Sequence, residues 1–225
     1  MAYELNSVVP WGRTLEEYEQ MFMLSKEDMN KRIISFGDGP ASFNAEMNTL
    51  GREVISIDPV YEFTGDQLKK LIDETCFQVI KQTRENEGNF VWDTIKSVDH
   101  LQEIRMKAMR QFLVDFKKGL EEKRYIPHSL PNKTSFANNE FELGLSSHFL
   151  LLYSTLGLNF HVAAISEMMR LCKEVRIFPI LTLNAEIPDF YNELLERLNR
   201  KYQTEVKKVP YEFQKGGNQM LIIKK

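Results

Sequence analysis

The chain has few of the residues that build metal centres or disulfide frameworks. Among its 225 residues are two cysteines, Cys76 and Cys172, which lie far apart within apolar patterns. Cysteines placed in this way are typical of reduced core thiols in a cytosolic protein. The histidines are dispersed along the chain: His100, His128, His148 and His161. Without the clustered spacing of a zinc motif they disfavour a metal enzyme, and we expect no metal site.

The chain also lacks an excess of one charge and lacks long apolar runs. It has 29 Lys and Arg residues against 32 Asp and Glu residues, a net charge of −3, which gives no general attraction for nucleic acid or anionic membrane. No segment approaches the roughly 18 apolar residues of a membrane-spanning helix. Residues 1–6 have neither the basic nor the apolar region of a signal peptide. We therefore expect a cytoplasmic protein with no nucleic-acid or membrane partner.

What the chain does contain is a β-α-β pattern near its N-terminus. Residues 33–36 form an apolar run typical of a buried strand, and the Gly-Asp-Gly-Pro sequence at 37–40 predicts a sharp turn. Residues 41–50 predict a helix, and residues 53–58 predict a second strand that ends in Asp58. This order of elements implies a parallel sheet. With 43% hydrophobic residues, the chain can bury a core of ordinary size.

Residues 64–124 follow a purely helical pattern. Two segments each place apolar residues on one helical face, and residues 86–89 break the pattern between them. Two amphipathic helices of this length form a natural hairpin. We predict that this hairpin is an insertion between the second and third strands of a single domain, residues 1–225. We expect it to act as a cap that selects the substrate. The alternative is a packing element or the interface of a homodimer.

The α/β pattern returns at residue 125. Further strands are predicted at 125–126, 141–146, 174–181, 205–213 and 219–223, and further helices at 159–172 and 188–202. We expect the loop of the last hairpin to point away from the catalytic edge, with Tyr211 or Glu212 able to reach inward. The predicted fold class is α/β: a Rossmann-like three-layer sandwich with a mostly parallel seven-stranded sheet, an antiparallel last strand and an inserted helical hairpin.

The glycine turn after the first strand predicts a site for an adenosine cofactor. Gly37 and Gly39 allow the backbone to turn tightly and to approach a ligand closely. Asp58, 21 residues beyond Gly37, is placed to accept hydrogen bonds from ribose hydroxyls. Gly-x-Gly followed by an acid after about twenty residues is typical of both nicotinamide and S-adenosylmethionine enzymes. The simpler interpretation is an ordinary turn with an incidental aspartate.

Two residues favour S-adenosylmethionine over a dinucleotide. Ser42 occupies the third glycine position of the dinucleotide motif, and Asp38 would repel a diphosphate. An acidic residue beside the turn is compatible with a cationic amino-acid ligand. A NAD-type oxidoreductase remains the alternative enzyme, and a non-catalytic S-adenosylmethionine-binding protein is a third hypothesis.

Three stretches carry a resemblance to a known family. Residues 33–41 (IISFGDGPA) and 54–59 (VISIDP) resemble motifs one and two of the class I S-adenosylmethionine-dependent methyltransferases. Residues 134–148 (TSFANNEFELGLSSH) resemble the stretch that leads into the fourth strand of that family. More narrowly, the chain resembles a group of uncharacterised bacterial methyltransferase-like proteins that open with Val-Pro-Trp-Gly-Arg. The resemblance covers residues 32–58 and 125–225, and it implies methyl transfer from S-adenosylmethionine to a small-molecule substrate.

The resemblance also implies roles for residues. The residues implied to bind the cofactor are Phe36, Gly37, Asp38, Gly39, Asp58, Pro59, Val60, Ser129, Leu130, Ser146 and Ser147. Arg13 is added to this set as a clamp. The glycine turn would line the methionine part, Asp58 would bind the ribose diol, and Pro59 and Val60 would flank the adenine. Ser129 and Leu130 stand where the family usually has an acid that reads the adenine amino group.

His148 is the candidate catalytic residue. It can act as a general base towards a hydroxyl or amine, or it can be a hydrogen-bonded histidine that caps the fourth strand. Arg13 can clamp a carboxylate of cofactor or substrate, or it can be a surface arginine. Arg105 and Arg110, on the second helix of the hairpin, can meet an anionic substrate. Because a sulfonium is an activated methyl donor, the protein needs mainly to align the nucleophile and to exclude water.

Overall fold

The structure is a computed structural model that describes residues 9–225 of the chain. Seven strands form one sheet: β1 (Ile33–Phe36), β2 (Val54–Ile57), β3 (Tyr125–Ile126), β4 (Phe141–Ser147), β5 (Cys172–Phe178), β6 (Gln203–Lys208) and β7 (Gln219–Lys224). Their order across the sheet is β3-β2-β1-β4-β5-β7-β6. Neighbouring strands pair in parallel except at β7, which runs antiparallel to both β5 and β6.

Helices cover both faces of this sheet. They are α1 (Leu15–Phe22), α2 (Phe43–Thr49), α3 (Gly65–Glu85), α4 (Val98–Glu121), α5 (Gly157–Leu171) and α6 (Tyr191–Asn199). Side chains of α1 and α2 fill one core layer with Ile33, while α5 and α6 fill the other with Ile34 and Phe36. Because β1 is covered on both faces, it is apolar throughout and shows no alternation. The predicted Rossmann-like three-layer fold is confirmed.

Local signals determine where several helices begin and end. Thr14 and Thr64 cap α1 and α3 through capping boxes, in which the threonine oxygen and the side chain three residues later satisfy free backbone N–H groups. The helix α2 ends before Gly51, whose φ of +68° is the left-handed conformation that closes helices. The helix predicted at 188–202 is shorter than expected, since α6 spans only Tyr191–Asn199.

The helices α3 and α4 lie between β2 and β3 in sequence and pack against each other. Their apolar faces close a cluster with residues after β2 and in β3: Tyr61, Leu68, Phe112, Phe116 and Tyr125. Beyond α4, the Arg124 guanidinium contacts the Asp115 carboxylate at 2.7 and 2.8 Å and the Asn44 side-chain oxygen at 2.6 Å. This part-buried ion pair ties the helical pair to α2 and to the start of β3.

The prediction for the last hairpin is wrong in two respects. The strand expected over 205–213 ends at Lys208, because Pro210 has no backbone N–H and cannot continue the ladder. Lys208 pairs with Gln219 across the loop 209–218. Since β6 points in the same direction as β1 to β5, this loop lies at the carboxyl edge of the sheet and not at the opposite edge.

The two cysteines are buried free thiols. Burial raises the pKa of both Cys76 and Cys172, so neither is ionised near neutral pH. Across residues 9–225, no three or more metal-binding side chains are grouped so that they could share an ion. The same part of the chain contains no helix with the length and apolarity needed to cross a membrane.

The Arg124 ion pair generates a stability prediction. Replacing Arg124 by Met leaves the Asp115 carboxylate without its cation, so the free energy of unfolding should fall by about 2–4 kcal/mol in urea denaturation. The matched control is Arg84→Met, which removes an exposed ion pair with Asp99 and should cost less than about 1 kcal/mol. Equal losses in the two variants would contradict a structural role for the Arg124 network.

Candidate functional site

A cavity of about 380 Å³ lies at the carboxyl edge of the sheet, where β1, β2 and β4 end. Segments that are distant in sequence supply its walls: residues from within 9–13, 37–39, 58–60, 79–90, 147–153, 183–186 and 213–214, together with Tyr18 and Leu101. In open α/β sheets this edge is the usual position of a ligand.

The glycine turn forms one wall of the cavity because of its backbone conformation. Gly37 and Gly39 have φ values of +65° and +54°, which side chains strongly disfavour. A Cβ on Gly37 would lie 2.6 Å from the Phe149 ring. Around Gly39 there is open space, with the Asp58 carboxylate 4.0 Å from the Cβ position. Gly37 is therefore required both because a side chain would not fit and because of its backbone conformation. Gly39 is required by its backbone conformation alone.

Asp58 locks the turn to the end of β2. Its Oδ2 accepts the Gly39 N–H at 2.9 Å, and its Oδ1 accepts the Val60 N–H at 2.9 Å. Burial raises the pKa of Asp58 to about 6, against the lowering effect of these two N–H groups, and the nearby Asp38 raises it further. A carboxylate oxygen that accepts one bond can accept a second. Asp58 can therefore bind hydroxyl donors while holding the turn.

Asp38 has a structural role that the sequence analysis missed. Asp38 is one of the residues that line the cavity, but its carboxylate accepts hydrogen bonds from three hydroxyls, those of Tyr18, Ser35 at 2.6 Å and Ser56 at 2.6 Å. Burial raises the pKa of this carboxyl. Because its acceptors are taken by α1, β1 and β2, Asp38 fixes the turn from inside. The residue that could have indicated this role is Tyr18, because a buried tyrosine hydroxyl needs a hydrogen-bond partner.

The N-terminal segment packs directly on the glycine turn. A Cβ on Gly12 would overlap the Pro40 carbonyl, so only glycine fits between the segment and the turn. The Ser42 N–H donates to the Arg13 carbonyl at 3.0 Å. The Trp-Gly-Arg sequence at 11–13 thus places both large side chains on the cavity.

His148 lies at the end of β4 with a left-handed φ of +52°. Its N–H donates to the Phe178 carbonyl at 2.6 Å, and its Nδ1 lies 2.9 Å from the Ser147 hydroxyl. Burial holds the pKa of the imidazole well below its usual range, and the charges of Arg13 and Arg105 lower it further. The ring is therefore neutral near pH 7.

The roof of the cavity joins three parts of the chain that the sequence analysis left separate. The Val91 N–H donates to the Phe213 carbonyl at 2.7 Å, and the Phe90 and Phe213 rings stack with centroids 4.8 Å apart. The Gln214 amide donates to the carbonyls of Thr182 and Leu183 at 3.2 and 3.1 Å. The helical pair, the loop 209–218 and the segment after β5 thereby form one cover.

Arg105 does not meet a substrate, in contrast to expectation. It is 1% exposed, and its Nη1 binds the Glu17 carboxylate at 2.6 Å while its Nη2 donates to the Tyr211 hydroxyl at 3.2 Å. Of Tyr211 and Glu212, the two residues predicted to be able to reach inward, Tyr211 does so, and its hydroxyl donates to the Glu17 carboxylate at 3.0 Å. Glu212 instead accepts hydrogen bonds from its own loop, at Gly216 and Asn218. The Arg105–Glu17–Tyr211 cluster is internal and joins α4 to α1.

The structure brings most of the predicted site residues to the cavity. Those in its walls are Arg13, Gly37, Asp38, Gly39, Asp58, Val60, Ser147 and His148. Phe36 and Ser146 are instead fully buried, Pro59 is exposed, and Ser129 and Leu130 lie in the loop after β3, outside the walls. The binding roles given to these residues stay predictions.

The environment of Asp58 predicts its titration. Measured by the carboxyl carbon resonance in NMR, Asp58 should titrate with a midpoint near 6, while the control Asp115, whose pKa the Arg124 cation lowers, should titrate below the usual value. Because the folded protein holds the Asp58 proton more tightly than the unfolded chain, this group's contribution to stability falls as pH rises from about 4 to about 6. A midpoint at or below about 4 would contradict the buried geometry.

Similar folds occur among solved structures. The PH0226 protein from Pyrococcus horikoshii OT3 has 12% sequence identity and a TM-score of 0.49, with 93% of this chain and 88% of that chain covered. Magnesium protoporphyrin IX methyltransferase (ChlM) from Synechocystis PCC 6803, solved with bound SAM, has 8% identity and a TM-score of 0.48, with 94% and 77% covered. The strand order of the sheet, and not these likenesses, establishes the fold class.

No family model matches the chain. It is 35% identical over 223 residues to the uncharacterized protein MJ0045 of Methanocaldococcus jannaschii, and the match covers 98% of each chain. Because this relative is archaeal, the bacterial group expected from the sequence is unconfirmed. An identity of this size over nearly the whole of both chains indicates common descent and a common fold. The chain belongs to the family of the M. jannaschii protein MJ0045.

Proposed function

We propose that the protein is an S-adenosylmethionine-dependent methyltransferase that acts on a small-molecule acceptor. The observation that carries the proposal is the contact between the glycine turn and the acid after β2, where Asp58 Oδ2 accepts the Gly39 N–H at 2.9 Å in the cavity wall. A carboxylate that could bind ribose hydroxyls therefore lies next to backbone that a ligand can approach closely, which supports the proposal.

The chemistry of the walls fits this cofactor. Asp58 retains acceptor capacity for the ribose diol, and Gly39 leaves open space beside it. The turn side of the cavity carries the Asp58 carboxyl group, whose ionised form suits the cationic sulfonium and ammonium groups better than a diphosphate. Val60 offers an apolar contact for the adenine ring. Residues 127–130, which follow β3, contain no acid that could accept a hydrogen bond from the adenine amino group.

His148 is the residue that we assign as general base. The Ser147 hydroxyl donates to the Met21 sulfur at 3.8 Å, so its oxygen can accept a hydrogen bond from His148 Nδ1 at 2.9 Å. A neutral imidazole protonated at Nδ1 has a free lone pair at Nε2. Nε2 can then take the proton that the acceptor loses. The bound cofactor supplies the activated methyl group, and the roof excludes water from it.

The ribose role of Asp58 is tested by ligand binding. In calorimetric titration the wild type should bind S-adenosylmethionine and not NAD, and Asp58→Ala should weaken the affinity about 10- to 100-fold because charged hydrogen bonds are lost. The control is Asp66→Ala, which removes an exposed carboxylate at the first turn of α3 and should leave the affinity unchanged. Binding of NAD alone would overturn the proposal.

Binding of the adenosyl group should also depend on pH. Ribose hydroxyls donate to the ionised form of Asp58, so affinity for S-adenosylhomocysteine should rise from pH 5 to pH 7 as a group with a pKa of about 6 loses its proton. The Asp58→Asn variant has no titrating group at this position and should lose that dependence. An identical pH profile in both proteins would exclude Asp58 as its origin.

Turnover separates an enzyme from a binding protein. Incubation with S-adenosylmethionine and a panel of metabolites should produce S-adenosylhomocysteine with at least one acceptor. His148→Gln should reduce this rate about 100-fold or more with little change in cofactor affinity. Cofactor binding without turnover on any acceptor would favour the non-catalytic hypothesis.

A further inference from the structure

Arg13 lies in the cavity wall without an anionic partner. Its Nη1 donates to the Trp11 carbonyl at 2.9 Å, and its Nε is buried and makes no hydrogen bond. Within residues 9–225 no carboxylate forms an ion pair with it. The nearby Glu17 is already bound to Arg105 at 2.6 Å. The guanidinium is therefore the one cation of the described cavity wall, and the Glu17 charge that acts on it is shared with Arg105.

An unpaired guanidinium in such a position is costly to the ligand-free protein. Burial and the neighbouring Arg105 charge both lower the pKa of Arg13, which shows that its surroundings disfavour the charge. Buried polar groups without partners are rare in folded proteins. A planar guanidinium with a free edge matches a carboxylate or a phosphate in geometry and in charge.

The backbone of Arg13 holds this side chain in a defined place. Gly12 fits against the Pro40 carbonyl, and the Arg13 carbonyl accepts the Ser42 N–H at 3.0 Å. The Arg13 charge acts on His148 and Tyr153, which both line the cavity. An anion held by Arg13 would thus lie near His148, in a cavity whose wall also contains the apolar rings of Trp11, Phe90 and Phe213.

We propose that Arg13 binds the anionic group, a carboxylate or a phosphate, of the methyl acceptor, and that acceptors are small organic anions with an apolar body. This rests on the proposed methyltransferase function, because it assigns the acceptor half of that site. It differs from a role of Arg13 at the carboxylate of the cofactor, and the two roles are separable by experiment.

Tryptophan fluorescence of the full chain can report binding, since Trp11 lies in the cavity wall. The probes are benzoate and phenyl phosphate, with neutral benzamide as their matched control. The wild type should bind the anions at least tenfold more tightly than benzamide, and Arg13→Gln should lose this preference while Arg13→Lys keeps part of it. The control Arg52→Gln removes an exposed arginine that has no carboxylate partner among the described residues, and it should behave as wild type.

Folding of the variant is checked separately. Because Arg13→Gln removes a charge that forms no ion pair, its midpoint of thermal unfolding without ligand should equal or exceed that of the wild type. A clearly lower midpoint would mean that Arg13 has an anionic partner within the protein and would overturn the proposal. Equal binding of benzoate by wild type and Arg13→Gln, or no preference for anions in the wild type, would also overturn it.

A third measurement decides whether Arg13 binds the methyl acceptor or the cofactor. Benzoate should bind equally well to protein saturated with S-adenosylhomocysteine and to protein saturated with decarboxylated S-adenosylmethionine. If it binds only alongside the decarboxylated form, Arg13 holds the cofactor carboxylate and the acceptor role is wrong. A protein that binds no adenosyl ligand would refute the proposed function, and the anion preference measured without cofactor would still decide whether Arg13 is an anion site.

Discussion

The buried carboxylate of Asp38 is the constraint on which the site depends. It accepts hydroxyls from α1, β1 and β2, and Ser56, one of these donors, also accepts the Asn44 amide at 3.0 Å. Asn44 in turn binds Arg124. One chain of polar contacts therefore runs from the glycine turn to the end of α4. Because every member has a partner, the turn is held rigidly before any ligand arrives.

The cavity wall holds charged groups of both signs. Asp58 places a carboxyl group beside the glycine turn, and Arg13 provides a cation whose charge acts on His148. The second nearby arginine, Arg105, is neutralised by Glu17 inside the protein. These charges suit a positively charged cofactor at Asp58 and an anionic acceptor at Arg13. Burial, followed by the charges of Arg13 and Arg105, lowers the pKa of His148 and keeps its ring neutral.

Features encoded by neighbouring residues were predicted from the sequence, and features that need distant contacts were not. The strand, turn, helix and second strand over residues 33–58 follow from local periodicity and glycine chemistry, and so does the position of Asp58. The pairing of Arg105 with Glu17 joins residues 88 apart, and the contact of Val91 with Phe213 links the insertion to the last loop. No local pattern specifies either contact. The direction of the last loop was missed because it depends on strand order.

The central claim is that an adenosyl cofactor binds between the glycine turn and Asp58. A crystal structure of the protein with S-adenosylhomocysteine tests it most directly. The account predicts both ribose hydroxyls within hydrogen-bond distance of the Asp58 carboxylate and the sulfur on the His148 side of the turn. An adenosyl group bound elsewhere, or an empty cavity at saturating ligand, would contradict it.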